Sequence, residues 1–289
     1  MWEPEPRRRL FTLRDWVAEG RSREELRWAE SRGRCPRVVR GVYADGPGEP
    51  TAVEFALAHM LRDGRPAWGL VAASLYDLDA VHDMKIPEPT RHRAPDLGGE
   101  PRVVDGVLCG SPLQTMLELA VLLDDDRWEQ ANESALHKKL FTVRDELAFL
   151  ELVRRRKAPG AARIRRLLAL RPPDAPPTES RLETLIVQIV RATEGIPEPT
   201  RQRVVNDEHG QFVARVDLAW PDLGVFKELD GMGHRGQPVY DANRESAVVA
   251  ATGWLCSRMT WREAQVRRWA GRRILRVIEQ ARRRPMPSL

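Results

Sequence analysis

Hydrophobic and polar positions follow their most regular pattern in the last third of the chain, over residues 178–289. Apolar side chains recur at helical spacing through 180–192, which predicts one amphipathic helix. Three runs rich in β-forming residues follow at 200–205, 211–220 and 225–230, and turn-forming residues separate them. The pattern therefore predicts a helix followed by three antiparallel strands.

The same region continues with a helix, a strand and a last helix. Residues 241–252 have the apolar period of a helix, and residues 254–260 have that of a strand. A long arginine-rich helix is predicted from Trp261 onward, with Trp261 and Trp269 in the core. This order predicts an α/β domain over 178–289, and the regions before it make the chain α+β overall.

The first 50 residues predict a small domain of two helices and a ribbon. Thr12 with Asp15 has the form of a capping box, and Ser22 can cap a second helix that ends at Gly33. Residues 34–43 then predict two short strands. This combination predicts a winged helix-turn-helix, whose second helix would enter a DNA major groove, although a basic helix pair without a DNA role remains the alternative. The candidate DNA contacts in this domain are Arg21, Arg23, Arg27, Arg37 and Arg40.

Residues 51–171 predict a mostly helical middle domain without recognisable chemistry. Its clearest helices are expected at 52–62 and 111–123, and a basic helix at 154–171 is interrupted near Pro159. The proline-rich segment 172–177 predicts a stiff linker to the last domain.

Residues 140–145 repeat residues 10–15 almost unchanged. The repeat is not part of a short periodic array, so no solenoid is implied. Reuse of one helix-start motif explains it.

Composition and charge limit the cellular compartments and the binding partners that the chain is expected to have. The 289 residues carry a formal charge of +5 at pH 7, which is compatible with nucleic-acid binding and also with an ordinary solvated surface. The three cysteines are far apart in the sequence and form no C-x-x-C pair, so neither a disulfide framework nor a zinc site is expected. This use of cysteine is typical of a reducing cytoplasm, where we expect the protein to be associated with the nucleoid. No apolar run approaches the roughly 20 residues of a membrane span, and residues 1–9 lack the apolar core of a secretory signal.

An acidic patch is predicted on the hairpin formed by residues 215–231. A symmetric register about the turn at 221–224 places Asp217 opposite Glu228, and Glu228 shares a strand face with Asp230. Like charges in these positions repel, and a bound cation would reverse the sign of that repulsion. A solvent-facing side of the hairpin is the alternative. The opposite face is expected to be apolar and to carry Val216, Leu218, Trp220, Val225 and Leu229.

The residues of this region resemble the PD-(D/E)xK, or restriction-endonuclease-like, nuclease superfamily, near its very-short-patch-repair endonucleases. The resemblance covers about 178–265 and implies an αβββαβα core. Its motif positions here are Asp217, Glu228, Asp230, Gly231 and His234, then Asp241 and Arg244, then Gly253, Trp254 and Arg258, with Glu183 as the helical glutamate. The first domain resembles the winged-helix domain of AbiEi-type antitoxins in its Leu-Phe-Thr, Ser-Arg-x-x-Leu and Arg-Gly-Val-Tyr segments, and residues 106–115 resemble the segment that comes after the winged helix in such antitoxins.

The nuclease resemblance implies a Mg²⁺ or Mn²⁺ ion held by Asp217 and Glu228, with Asp230 acting through water or at a second ion. Glu183 would hold a metal-bound water, unless it only caps the helix after Ser180. His234 would act as general base or contact a phosphate.

The superfamily's usual lysine is replaced by Asp230, and alternation turns Lys227 to the opposite face, so that lysine's role cannot be transferred. Arg244 and Asp241 are expected to pair or to brace the sheet. The candidate DNA contacts of this domain are Arg244, Arg258, Arg262 and the arginines of the terminal helix.

Two functions are implied by these resemblances. The first is a DNA-binding protein with a metal-dependent endonuclease domain, and the second is an antitoxin-like transcriptional repressor whose nuclease-like domain is inactive and whose partner is a toxin. Residues 217, 228 and 230 splayed to different sides, or a lysine or arginine of the chain that already neutralises them, would contradict the hydrolase and leave a DNA-binding protein without chemistry.

Overall fold

The computed structural model of the chain describes residues 8–82, 84, 97, 99–172, 174–230 and 238–284, and of 238–242 the backbone alone. The chain divides into two compact units. The first comprises residues 1–135 and 139–168, and the second comprises 136–138 and 169–289. The boundaries predicted from sequence within the first unit stay predictions.

The first unit begins with a small three-stranded sheet and two helices. Its elements are β1 (Leu10–Thr12), α1 (Leu13–Ala18), α2 (Arg23–Ser31), β2 (Arg37–Val39) and β3 (Val42–Ala44). The strand order is β1-β3-β2, antiparallel throughout. Capping boxes at Thr12 and Ser22 start both helices as predicted. Strand β1 was not predicted, because three residues are too few to show an alternation.

The apolar stripes of α1 and α2 close over this sheet. Trp16 and Leu26 are buried, and the Phe11 and Trp16 rings stack with centroids 5.2 Å apart. The core of this part therefore combines side chains of both helices with Phe11 of β1.

The rest of the chain up to residue 168 is mostly helical, as expected. Its elements are α3 (Ala52–Asp63), α4 (Gly69–Leu75), β4 (Arg102–Val104), β5 (Val107–Cys109), α5 (Pro112–Leu122), α6 (Asp125–His137), α7 (Val143–Arg155) and α8 (Ala161–Leu168). The repeated motif does start a helix, since Thr142 and Asp145 form a capping box at α7. The interruption predicted near Pro159 in the basic segment 154–171 is present, since α7 ends at Arg155 and α8 begins at Ala161.

The second unit has its elements in the predicted order. They are α9 (Arg181–Arg191), β6 (Thr200–Asn206), β7 (Phe212–Trp220), β8 (Val225–Asp230), α10 (Pro238–Thr252), β9 (Leu255–Thr260), α11 (Trp261–Ala264) and α12 (Arg267–Arg282). The terminal helix differs from the prediction because it is split in two. Thr260 and Glu263 form a capping box for the short α11, and α12 begins at Arg267.

The second unit is built on a mixed sheet of order β6-β7-β8-β9. The first three strands are antiparallel, and β9 runs parallel to β8. Leu218 pairs with Lys227 and Trp220 with Val225, which is the predicted symmetric register about the turn.

Two apolar clusters cover this sheet. The larger contains Leu218, Val225 and Leu229 with residues of α9, α11 and α12, and the smaller packs Phe226 against Val248 of α10. The prediction that Val216 packs with Leu218 and Trp220 is wrong, since Val216 belongs to the smaller cluster. Side chains alternate between faces only where the backbone is extended. The neighbouring strand β6 departs from extended backbone at Gln202, whose φ is +49°, next to Arg203, which pairs with Val216.

Helix α12 passes very close to the end of α9. A Cβ built on Gly271 would lie 2.4 Å from Thr193 Oγ1, so a side chain at this position requires one of the two segments to move. Glycine therefore sets the separation of these segments. None of the described helices has the length and apolarity that crossing a membrane requires.

Candidate functional site

One pocket of the second unit brings together the four described carboxylates that the sequence singled out. Its charged lining residues are Glu179, Glu183, Asp217, Glu228, Asp230, Arg215, Arg244 and Arg258. Gly231 and His234 lie outside the described residues, as does the side chain of Asp241. The acidic patch is thus a concave site between α9, the sheet and α10, and not a flat solvated face.

Glu228 lies in the middle of β8 with 3% of its surface exposed. Its Oε2 accepts a hydrogen bond from Arg244 Nη2 at 2.5 Å. Its Oε1 is buried and has no hydrogen-bond partner among the described residues. Burial, and then the charge of Asp217, raise the pKa of Glu228 to about 7, although Arg244 and Arg258 act in the opposite direction.

Asp217 is fixed against the neighbouring strand. The backbone N–H of Leu229 donates to Asp217 Oδ2 at 2.8 Å. Asp217 lines the same pocket as Glu183 and Glu228, and its charge raises the pKa of both. The predicted convergence of β7 and β8 carboxylates is therefore present.

Glu183 reaches the same pocket from the first turn of α9. Its backbone N–H donates to Ser180 Oγ at 3.1 Å, but its Oε2 accepts from the N–H of Glu179 at 3.1 Å and not from Ser180. Gln202 Nε2 also donates to this Oε2, at 2.8 Å. Burial, and then Asp217, raise the pKa of Glu183 to about 7. Half of the predicted capping box is present, and the carboxylate is tied to the sheet as well.

Asp230 has an arginine partner. Arg258 donates to Asp230 Oδ1 at 2.7 Å and to Oδ2 at 3.3 Å, and also to Glu245 Oε2 at 3.1 Å. The hydrogen bond to Asp230 raises the pKa of Arg258 above its ordinary value. Arg244 braces β8 through Glu228, which is one of its two predicted roles. Both arginines therefore neutralise carboxylates of the pocket.

Lys227 points away from the pocket, as predicted. It is fully buried, and its Nζ donates to Ser257 Oγ on β9 at 3.1 Å. Burial, and then the charge of Arg273, lower the pKa of Lys227 to about 7. No lysine from β8 reaches the carboxylates.

The predicted DNA contacts of the first unit lie on its surface. Arg23 and Arg27 are exposed on α2, and Arg40 is exposed in the β2–β3 turn. Arg37 is exposed too, but it pairs with Glu30 at 2.7 Å. In the second unit Arg262 is exposed on α11.

Two exposed tryptophans differ from the sequence analysis. Trp28 on α2 was not singled out, yet it is 52% exposed and Arg34 stacks 4.9 Å from its ring centre. Its place off the apolar stripe of α2 was the available indication. The prediction that Trp269 belongs to the core is wrong, since it is 39% exposed under Arg273, whereas Trp261 packs partly buried on the larger cluster.

As they stand, no three His, Cys, Asp or Glu side chains in the described part of the chain are grouped closely enough to hold a metal ion. Comparison with protein-family models, curated proteins and solved structures gives no match to this chain. Its fold and site define a protein of mixed α/β structure with an acidic, arginine-braced pocket on a four-stranded sheet.

Proposed function

We propose that this chain is a DNA-binding protein whose second unit hydrolyses phosphodiester bonds with a divalent metal ion. The observation that carries the proposal is the buried Oε1 of Glu228, which has no hydrogen-bond partner in the described structure although Asp217 and Glu183 line the same pocket. A buried carboxylate oxygen without a donor is costly, and a cation would satisfy it. The order of elements from α9 to α12 supports a restriction-endonuclease-like core.

The carboxylates present fit Mg²⁺ or Mn²⁺. Mg²⁺ is bound in such sites by one or two carboxylates together with waters and substrate phosphate, so a preformed group of three ligands is not required. Asp217 and Glu228 would hold the ion. When bound, it would supply a Lewis acid for the phosphate oxygens and a water of lowered pKa as the nucleophile.

The other residues of the pocket position groups around that pair. Glu183, held through Oε2 by Gln202 and by the N–H of Glu179, would orient the attacking water and accept its proton near neutral pH. Asp230 is engaged by Arg258 and would act indirectly, by placing that guanidinium beside the substrate phosphate.

DNA recognition is proposed for the first unit. The order β1-α1-α2-β2-β3 supports a winged helix, with α2 offering Arg23 and Arg27 to DNA and Arg40 at the tip of the β2–β3 ribbon. Phosphate contacts by these residues would make binding strongly dependent on salt.

A second function is favoured by a specific observation. Arg244 and Arg258 pair with Glu228 and Asp230, and neutralisation of this kind was the feature expected of a non-hydrolytic protein. On this alternative the chain is an AbiEi-like antitoxin or repressor that binds DNA and a toxin, and its nuclease-like domain is inactive. The unpartnered Glu228 oxygen ranks this function second.

Cleavage of supercoiled plasmid separates the two functions. We expect nicking with Mg²⁺ or Mn²⁺, none with EDTA, and loss of nicking in the Asp217→Ala/Glu228→Ala double variant. A DNA gel shift without cleavage under any of these conditions would favour the repressor. An Arg23→Ala/Arg27→Ala variant, which leaves the pocket intact, should weaken the shift, and a protein that neither shifts nor cleaves DNA would contradict both functions.

A further inference from the structure

Two arginines neutralise carboxylates of the acidic pocket, as a bound divalent cation would. The two differ in how many hydrogen bonds hold them. Arg258 on β9 donates to both oxygens of Asp230 and to Glu245. Arg244 on α10 makes a single hydrogen bond, to Glu228 Oε2 at 2.5 Å, and has no second partner among the described residues. Arg244 is therefore the less firmly held cation.

The formal charge of the pocket equals the charge that one divalent cation would neutralise. Its lining residues include five carboxylates and three guanidinium groups, which gives a formal charge of −2 when all are ionised. The acceptor left over is Glu228 Oε1, on the same carboxylate that Arg244 contacts through Oε2. A cation at Oε1 would lie close to the Arg244 guanidinium, and like charges at such separations repel strongly in a partly buried site.

We propose that Arg244 is an exchangeable counter-ion: it neutralises Glu228 in the metal-free protein, competes with a divalent cation for that carboxylate and leaves it when the cation binds. This inference rests on the proposed metal site. Arg244 is a positioning residue here, because it acts through Glu228. Its side chain is 30% exposed, so the released guanidinium can turn outward without disturbing the core.

Exchange couples the metal ion to DNA. A DNA phosphate is a good acceptor for a guanidinium, so DNA at the pocket mouth would draw Arg244 away from Glu228. Because linkage is reciprocal, DNA would raise the affinity for the cation by the factor by which the cation raises the affinity for DNA. The pocket would then load its metal ion mainly when DNA is present.

Mn²⁺ binding to the full chain without DNA tests the exchange. Free Mn²⁺ is followed by electron paramagnetic resonance at pH 8.5, where protons compete little for the carboxylates. We expect Arg244→Gln to bind Mn²⁺ about tenfold more tightly than wild type, which is the change that about 1.4 kcal/mol of relieved repulsion produces. Arg244→Lys keeps the charge and should stay within about twofold of wild type.

Arg215→Gln is the matched control. Arg215 lines the same pocket but pairs with Glu179 at 2.8 Å and not with Glu228, so its removal should change Mn²⁺ affinity by less than about threefold. Equal gains in the two glutamine variants would overturn the exchange, since the effect would then be general charge removal. Thermal melting monitored by circular dichroism checks that each variant is folded.

The remaining outcomes separate this inference from the proposed function. If wild type binds Mn²⁺ and Arg244→Gln binds no more tightly, the exchange is overturned and the metal site stands. If only Arg244→Gln binds Mn²⁺ without DNA, the exchange is supported, and nicking of plasmid by wild type with Mg²⁺ then tests the proposed function separately. If neither binds, the exchange is overturned, and the proposed function is decided by plasmid nicking with Mg²⁺, in which the DNA phosphate is present.

Nuclear magnetic resonance of arginine side chains in wild type gives a readout that needs no variant. During Mg²⁺ titration the Arg244 guanidinium should gain rotational freedom, while that of Arg258 keeps its restricted rotation. An unchanged Arg244 signal at saturating Mg²⁺ would contradict the exchange.

Discussion

Lys227 and Glu228 are neighbours in β8 on opposite faces of one sheet, and both carry a charge into the interior. Lys227 is 0% exposed and Glu228 is 3% exposed. Burial moves the pKa of each to about 7, downward for the lysine and upward for the glutamate. Their surroundings differ. Lys227 Nζ has a hydrogen bond to Ser257 and does not line the acidic pocket, whereas Glu228 lines that pocket together with Arg244 and Asp217.

The comparison distinguishes a charge that the fold tolerates from one that a site can use. Desolvation disfavours both ionised groups, so burial by itself does not identify the functional one. An adjacent concave surface lined by other charged groups makes a perturbed residue a functional candidate. By that standard Glu228 belongs to a site and Lys227 to the core.

The largest expected effect concerns catalysis. Glu228→Gln removes the ligand charge and should lower Mg²⁺-dependent plasmid nicking by about two orders of magnitude or more. Lys227→Met fills the same volume on the other face and should leave the nicking rate within about threefold of wild type. Initial rates at saturating Mg²⁺ measure both. A comparable loss in Lys227→Met would show that the two faces are not separate.

A smaller effect is expected on stability. Lys227→Met should raise the free energy of unfolding at pH 7 by roughly 1 to 3 kcal/mol, because it replaces a buried ammonium group with an apolar chain of similar length. The lysine pKa is lower in the folded protein, so the unfolded chain binds the additional proton between about pH 7 and the ordinary lysine value. Wild-type stability should therefore contain a contribution that rises with pH over this window and is lost as pH falls through about 7.

Urea unfolding at several pH values checks this effect, with Lys227→Met as the variant that lacks the contribution. The stability difference between the two proteins should shrink as pH rises from 7 to 10. A difference that is constant with pH would mean that Lys227 is not destabilised by its charge.

The smallest expected effect concerns Gln202, whose side chain donates a hydrogen bond to a carboxylate of the pocket. Gln202 has a left-handed backbone, at φ +49°, and donates to Glu183 Oε2. Gln202→Ala keeps the strain and loses the hydrogen bond, so it should cost about 1 to 2 kcal/mol of stability. Gln202→Gly loses the same bond but relieves roughly 1 kcal/mol of strain, so it should lie between Ala and wild type. Equal stabilities of the Ala and Gly variants would contradict the strain.

Local chemistry explains which features could be predicted from the sequence. Capping boxes at Thr12, Ser22 and Thr142 involve residues three apart, so helix starts were readable directly. The register of β7 and β8 is set by a short turn, and the convergence of Asp217 with Glu228 is a consequence of that register. The site residues found in this way depend only on neighbouring strands.

Long-range packing explains which features could not be predicted. The pairing of Glu228 with Arg244 depends on how α10 lies on the sheet, and that of Asp230 with Arg258 on the parallel register of β8 with β9. Helix α6 was missed for another reason. The buried side of α6 includes polar side chains, so the sequence has no clear apolar stripe there. These side chains are Gln130, Asn132, Glu133 and Ser134.

The close approach of Gly271 to Thr193 ties together two positions that are 78 residues apart. A methyl group at 271 has no space while Thr193 keeps its hydroxyl, but a glycine or alanine at 193 would remove the obstructing atom. Substitutions at these two sites are therefore tolerated as a pair more readily than singly. Among descendants of one ancestral chain, they should covary and so reveal the contact between the two helical segments without any coordinates.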